Sequence, residues 1–266
     1  MSAHHMPGVN RRGFVKASAA GLGAASVAGL AAPWAVPGAS AAGTRSASQD
    51  VADAVLEAFK THRLVGLGEA HGLQNHYDAL GLLLSDPRVP EVVDDIVIEF
   101  ANALYQPTID RFIAGRTVDN AELRPIWRNT TQSPGGTWDQ PVYEQFFRTV
   151  RAVNWTRRHS KQMRVLAGDP PIDWPKITNR SVLQVFDLRR DTHAASVVTK
   201  HVLDEGHRAL VCYGSDHLFH SSGVNIASIL EQHAGERIYT IADLTYTAGD
   251  PGGLAKKLAP YARNTI

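Results

Sequence analysis

Glu69 and His71 stand two residues apart in Leu64-Val65-Gly66-Leu67-Gly68-Glu69-Ala70-His71-Gly72, directly after an apolar run. A carboxylate and an imidazole delivered by the end of a buried strand can share a proton, deprotonate a water or hold a metal ion. Four other apolar runs end in the same manner. Ile96-Val97-Ile98 is followed by Glu99, and Met163 to Ala167 by Gly168-Asp169. Arg208 to Tyr213 runs into Gly214-Ser215-Asp216-His217, and Arg237 to Ala242 into Asp243. Every run supplies an acid and two supply an imidazole. One acid in a polar loop means little, but the repetition predicts a catalytic or metal-binding rim along one sheet edge, since open parallel sheets bind ligands outside their strand carboxyl ends.

Two chemistries suit such a rim. In one, a member of the cluster acts as general base on water while another protonates a leaving group, a division favoured when crowded carboxylates raise one another's pKa. In the other, the groups bind a divalent metal and lower the pKa of its water. The candidate ligands for such an ion are Glu69, His71, Glu99 and His217. The His-Glu-x-x-His spacing of common zinc hydrolases is absent, as are a Gly-x-Ser-x-Gly elbow and a Walker-type phosphate loop. Gly66-Leu67-Gly68-Glu69-Ala70-His71 lacks the third glycine of a dinucleotide-binding turn, and its acid would face the pyrophosphate. His76 need not share a helix face with His71 and reads as a supporting or surface residue. His220 could reach the same rim.

The elements that must carry these residues alternate. Helical patterns span Ser48 to His62, Leu73 to Leu84, Pro141 to His159, Asp191 to Leu203, Asn225 to His233 and Leu254 to Tyr261, with the five strands between them. Asp191 reads as a cap on the first turn of its helix. The strands are short continuous apolar runs without in/out alternation. That predicts an α/β fold: a largely parallel sheet with helices on both faces. Short helices at Ile109 to Ala114 and Asn120 to Trp127, with the long helix after them, form a helical insertion of about residues 104–160 between the second and third strands. It could serve as a lid or pocket wall.

The chain has 266 residues, 44% hydrophobic and 20% charged, with 27 Lys and Arg against 26 Asp and Glu. No basic block interleaved with aromatics occurs, so a nucleic-acid partner is not expected. Cys212 is the only cysteine, which rules out an internal disulfide and a thiolate metal cluster. Residues 1–41 contain Arg11, Arg12 and Lys16 and no acid. Asn10-Arg11-Arg12-Gly13-Phe14-Val15-Lys16, a Gly- and Ala-rich run to Ala32, and Ala39-Ser40-Ala41 together read as a twin-arginine export signal that is cleaved. The expected mature chain, 42–266, is a single α/β domain in the periplasm or outside the cell. Its partners would be the export machinery and a small-molecule substrate, with no stable membrane span after cleavage.

Gly68-Glu69-Ala70-His71-Gly72 after a strand, Glu99 ending the next, Arg190-Asp191-x-x-Ala194 opening a late helix and Gly214-x-x-His217 after the fourth strand resemble the superfamily of erythromycin esterases and ChaN-like haem-binding lipoproteins, with Tiki proteases as more distant relatives. The resemblance runs from about Arg63 to His217. It implies an exported hydrolase in which Glu69, His71, Glu99 and His217 activate water to cleave an ester or related bond. Arg190, with Asp169 and His220, would contact the substrate. The alternative it implies is a haem- or metal-binding protein without turnover, so a divalent metal or haem is the cofactor to look for. The chain is shorter than a typical erythromycin esterase and lacks much of its extra helical portion, so a macrolide substrate is not expected.

Overall fold

The computed structural model describes residues 47–133, 136–220 and 224–242. The export segment, Asp243 and the terminal helix expected from the sequence lie outside them. Five strands form one parallel sheet: β1 (Leu64–Glu69), β2 (Asp95–Asn102), β3 (Arg164–Asp169), β4 (Ala209–Gly214) and β5 (Ile238–Ala242). Their order across the sheet is β3-β2-β4-β1-β5. The chain therefore leaves β1, lays down β2 and β3 to one side, and returns to insert β4 between β2 and β1. That places the carboxyl ends of β2, β4 and β1 side by side.

Every residue of β1, β2 and β4 is buried. This is why these strands read as continuous apolar runs: both sheet faces are covered. The face with Val65, Leu67, Ile96, Ile98, Phe100, Leu210 and Cys212 packs on α1 (Ala47–Ala58), α2 (Gln74–Ser85) and the insertion. The insertion consists of α4 (Gln106–Ile113), α5 (Asn120–Leu123), α6 (Pro125–Arg128) and α7 (Pro141–Thr156), after the short α3 (Val89–Val92) that follows α2. The opposite face, with Leu64, Val97, Val211 and Tyr213, packs on α9 (Arg190–Val198) and α10 (Ile226–Ala234). Between β3 and α9 lies α8 (Arg180–Asp187), none of whose residues is buried. No helix of the described residues is long and apolar enough to cross a membrane.

The elements differ from the sequence reading at several points; the helix expected over Asn120 to Trp127, for one, is the pair α5 and α6. The helix expected from Asp191 to Leu203 is α9 followed by a π-turn, Thr199–Leu203. The segments at α3 and α8 are given no element in the sequence reading. The former is a single turn behind Pro87, too short to show a period; the latter carries apolar residues at helical spacing, Val182, Leu183, Val185 and Phe186, but none of them is buried.

Candidate functional site

Side chains alternate along a strand, so Leu67 and Glu69 of β1 project to one sheet face while Val97 and Glu99 of β2 project to the other. Two acids on opposite faces meet only where the sheet ends and the strand between them is thin. Gly214, at the end of β4, meets that need. A Cβ built there would lie 3.0 Å from His71 Cε1 and 3.3 Å from both Glu99 Oε2 and His71 Nε2. The absent side chain is the gap through which His71 and Glu99 approach. The register of β2 against β3 also shifts between Ile98 and Asn102, a local irregularity around Glu99.

Glu69 is 1% exposed. Its Oε1 lies 2.9 Å from His71 Nδ1, and its Oε2 accepts the Tyr77 hydroxyl at 2.6 Å. Gly72, at φ +74°, reverses the chain into α2 and keeps the imidazole at the rim. Trp138 packs edge-on against that imidazole at 4.4 Å. Burial opposes charge on His71, but the Glu69 hydrogen bond and the charges of Glu99 and Glu69 outweigh it and hold its pKa above the ordinary value. Burial keeps the Tyr77 phenol protonated, so it stays a donor. Because Nδ1 donates to the carboxylate, Nε2 of the neutral ring is the acceptor that faces Glu99.

Glu99 is also 1% exposed. Its Oε2 accepts the Gly214 N–H at 2.7 Å, its Oε1 is paired with Arg190, and His217 Nε2 stands 3.5 Å from Oε1. Burial alone would raise its pKa. The His217 hydrogen bond and the charge of Arg190 reverse that and take it down to about 2. His217 Nδ1 lies 2.6 Å from Asp191 Oδ1. Despite burial, the bonds to Asp191 and Glu99 push the His217 pKa up to about 9. Near neutral pH the ionised Glu99 therefore sits between two cations, and both its oxygens are engaged.

The structure brings together Glu69, His71, Glu99, His217 and Arg190. Glu69, His71 and Glu99 form a group whose ligand-type atoms all lie within 4.8 Å of one another, a buried Glu/His/Glu cluster capable of metal coordination. Asp169 stands beside them: its carboxylate accepts the Thr131 N–H and hydroxyl at 2.9 and 2.6 Å, and Arg190 Nε is 3.9 Å away. Burial pushes its pKa up to about 7. His220 is elsewhere. Its ring nitrogens face Glu231 at 3.0 Å and the Ile238 carbonyl at 3.1 Å. Ile238 pairs with Leu64 at the amino ends of the strands, so the expected contact of His220 with the rim is corrected. The loop after β4 turns down along the sheet, with Leu218 under Gly66. Ser215 is buried against Gly68, and Asp216 is exposed.

Two participants, Asp191 and Tyr77, are read differently from the sequence. Asp191 does not cap its own helix; its Oδ1 takes His217 and the N–H of Ile226, the first residue of α10. Tyr77 reads only as part of an apolar stripe, yet its hydroxyl holds Glu69. His76 comes within 3.9 Å of Glu69 Oε2. A polar residue within an apolar stripe was the only available signal for Tyr77. Its role gives a prediction: Tyr77→Phe, which removes one oxygen, should cost about 1.5–3 kcal/mol in urea unfolding, the range for a hydrogen bond to a charged group. It should also loosen the His71 ring, visible as loss of its slowly exchanging Nδ1 proton by NMR. An unchanged Nδ1 signal would show that Glu69 needs no support from Tyr77.

No protein-family model matches the chain, and no curated protein matches it. Among solved structures, ChaN of Campylobacter jejuni, described with cofacial haem bound, is 18% identical over 71% of this chain and 84% of its own, with a TM-score of 0.46. A structure described as bacterial protein toxins is 20% identical over 73% of this chain and 36% of its own, TM-score 0.46. RRSP, a MARTX toxin effector domain from Vibrio vulnificus, is 22% identical over 63% and 30%, TM-score 0.40. These are distant likenesses at low identity, and the chain spans about a third of the toxin chains.

Proposed function

We propose that this is an exported protein that binds a ligand at the carboxyl ends of its strands, and that the ligand is a divalent cation held by Glu69, His71 and Glu99. One observation carries the reading: two buried carboxylates and an imidazole with ligand atoms within 4.8 Å of one another. The donor set fits. Anionic oxygens with one imidazole nitrogen suit zinc, manganese or ferrous iron, and no thiolate is at hand to favour softer ions. Tyr77 would fix the orientation of Glu69, and Arg190 that of Glu99, as outer hydrogen bonds commonly do around metal ligands. A cation bound there would lower the pKa of a coordinated water.

The test is calorimetric titration of the chelator-treated chain with zinc, manganese and ferrous ions, and a parallel haemin titration read by the Soret band. Removing an outer partner of a metal ligand usually costs 10–100-fold in affinity, so His71→Ala and Glu99→Gln should each cost at least about 100-fold. Wild-type affinity in both variants, or no binding of any ion or of haemin by the parent, would sink the reading.

Hydrolysis of an ester-class bond is the second reading, and a separate observation favours it. His71 Nε2, the proton acceptor, and the N–H donors of Arg190 and His217 all stand beside Glu99. Water placed between them would pass its proton to His71 as its oxygen bonds the carbonyl carbon, and the donors would meet the developing oxyanion. Ester turnover that survives chelation and falls about 10²–10⁴-fold in His71→Ala would establish it.

A further inference from the structure

The chain between Asp169 and Arg190 leaves the site and returns to it. Its two ends meet, with Arg190 Nε 3.9 Å from Asp169 Oδ1. The first stretch is fixed to the body. Ile172 is fully buried, Asn102 donates to its carbonyl at 2.7 Å, and the Trp174 indole N–H donates to the Thr130 carbonyl at 3.2 Å. The second stretch carries α8, and none of residues 177–189 is buried. Apolar side chains nonetheless occupy one side of this helix: Val182, Leu183, Val185 and Phe186, with Leu188 directly after it. Val185 is 46% exposed and Leu188 76%. A surface helix ordinarily buries such a stripe. Exposed Leu104 joins it from the segment after β2; its N–H bonds to the same Asn102 that holds Ile172. Leu188 stands two residues before Arg190, no more than about 7 Å along the chain. The apolar strip and the polar cluster are therefore neighbours at one end of the sheet.

The cluster turns its basic groups outward. His71, His217 and Arg190 reach solvent, whereas Glu69 and Glu99 are buried. Asp191 is partly exposed, but its Oδ1 is taken by His217 and the Ile226 N–H. Arg190 gives Nη2 to Glu99 and turns Nε toward Asp169, and no described residue takes its Nη1 hydrogens. A guanidinium has five donors, so some are left for a ligand oxygen.

We propose that the ligand of this site is an acyl amphiphile, with its carboxylate or ester oxygens at Arg190, His217 and His71 and a straight hydrocarbon chain along Leu188, Val185 and Leu104. The proposal rests on the reading that a ligand binds at the strand carboxyl ends, and names its class; it does not need the cation. Oxygen acceptors suit the outward donors, and the chain gives the exposed strip the cover it lacks. The dimensions favour one chain over a larger partner. Eight helical residues span about 12 Å. An apolar strip of that length offers on the order of 100 Å², whereas a stable protein interface takes about 800 Å² from each partner. The polar side of α8, with Arg180, Ser181, Gln184 and Asp187, sets one cation against one anion. A helix that lies on anionic lipid is instead rich in Lys and Arg on that side.

The probes are hexanoate and decanoate, titrated calorimetrically into the full chain below their micelle concentrations. A methylene taken fully out of water is worth about fourfold in affinity; on a strip open to one side about twofold is expected. Over four methylenes decanoate should therefore bind at least about tenfold more tightly than hexanoate. The double variant Val185→Ser with Leu188→Ser changes only exposed positions and should bring the two acids within about threefold of each other. Leu82→Ser, an exposed leucine near the far end of α2, should keep the wild-type ratio. Arg190→Lys should weaken both acids by the same factor. Equal affinity for the two acids in the wild-type chain, or the wild-type ratio retained in the double variant, would overturn the proposal. So would a dimer that the double variant dissociates, or sedimentation with phosphatidylcholine vesicles that it abolishes while decanoate does not bind, since each gives the strip another occupant. Zinc titration of the same chain keeps the two proposals apart. Chain-length dependence without zinc binding retains the acyl site and ends the cation; zinc binding without chain-length dependence does the reverse.

Discussion

Arg190→Ala is expected to destabilise the chain by about 3 kcal/mol near pH 6, the lower end of the cost of leaving a buried charge without its partner. Glu99 is 1% exposed and Arg190 17% by side chain, so little solvent can replace the lost guanidinium. His217 remains beside Glu99, which is why the upper end is not expected. The effect must depend on pH in a definite direction. The folded pKa of Glu99 lies at about 2, below its ordinary 4.5. A depressed carboxyl stabilises the fold above the unfolded pKa and loses that contribution as pH falls through the folded one, here about 3 kcal/mol between pH ~4.5 and ~2. Part of that belongs to Arg190, so the gap between wild type and variant should narrow as the pH drops across this window. The His217 contribution runs the other way: its pKa is raised to about 9, so its stabilisation is full below 6.5 and lost as pH rises toward 9. Urea unfolding of both proteins at pH 6 and pH 3 measures the gap. A gap of equal size at the two pH values would mean that Arg190 supports the fold by packing alone. Arg190→Lys, which keeps the charge but not the fork that meets a carboxylate, should recover only part of the loss.

The polar ends of β1, β2 and β3 were legible because these strands, apart from Arg164 at the start of β3, are buried on both faces. An apolar run that stops at an acid leaves that acid no place except the rim, and Glu69, Glu99 and Asp169 all obey that rule. What the sequence could not convey was the order of the strands. Glu69 and Glu99 are thirty residues apart and project to opposite faces; only the insertion of β4 between their strands, ending in Gly214, lets His71 and Glu99 meet. The same blindness to distance explains Asp191. Locally it stands where a capping acid would stand, and only the fold shows that it takes His217, twenty-six residues later. His220 failed for the opposite reason. Its nearness in sequence to His217 suggested a shared destination, but the loop descends along the sheet and carries it toward Ile238. The helical insertion was visible as a long stretch between two strand patterns. The α8 helix went unread although Val182, Leu183, Val185 and Phe186 stand at helical spacing, because eight residues are a short window in which to detect that period.

Gly168→Ala should be about as damaging as loss of Arg190, through sterics and not charge. A Cβ on Gly168 would lie 1.6 Å from the Tyr213 hydroxyl oxygen, 2.8 Å from Tyr213 Cζ and 2.9 Å from the Ile98 carbonyl oxygen. The first two belong to a ring that is 2% exposed, and the third to the backbone of a central strand. None can yield cheaply, so the expected cost is about 3 kcal/mol, the top of the usual range for overpacking. The strain should also reach the site, because Asp169 is the next residue and Tyr213 packs edge-on against His217 at 5.9 Å between centroids. Tyr213→Phe separates the contributions. Its hydroxyl has no hydrogen-bond partner among the described residues, so its removal alone should be close to neutral. In the Gly168→Ala background the same change removes the 1.6 Å clash and leaves the contacts near 2.8 and 2.9 Å, so it should restore part of the stability but not all. A double-mutant cycle in urea reads this as a coupling of about 1 kcal/mol or more between the two positions. A coupling near zero would mean that β3 shifts away from β4 to make room. In that case Asp169 would move away from Arg190, and the polar rim would owe its geometry to helix α9 more than to the packed ends of the sheet.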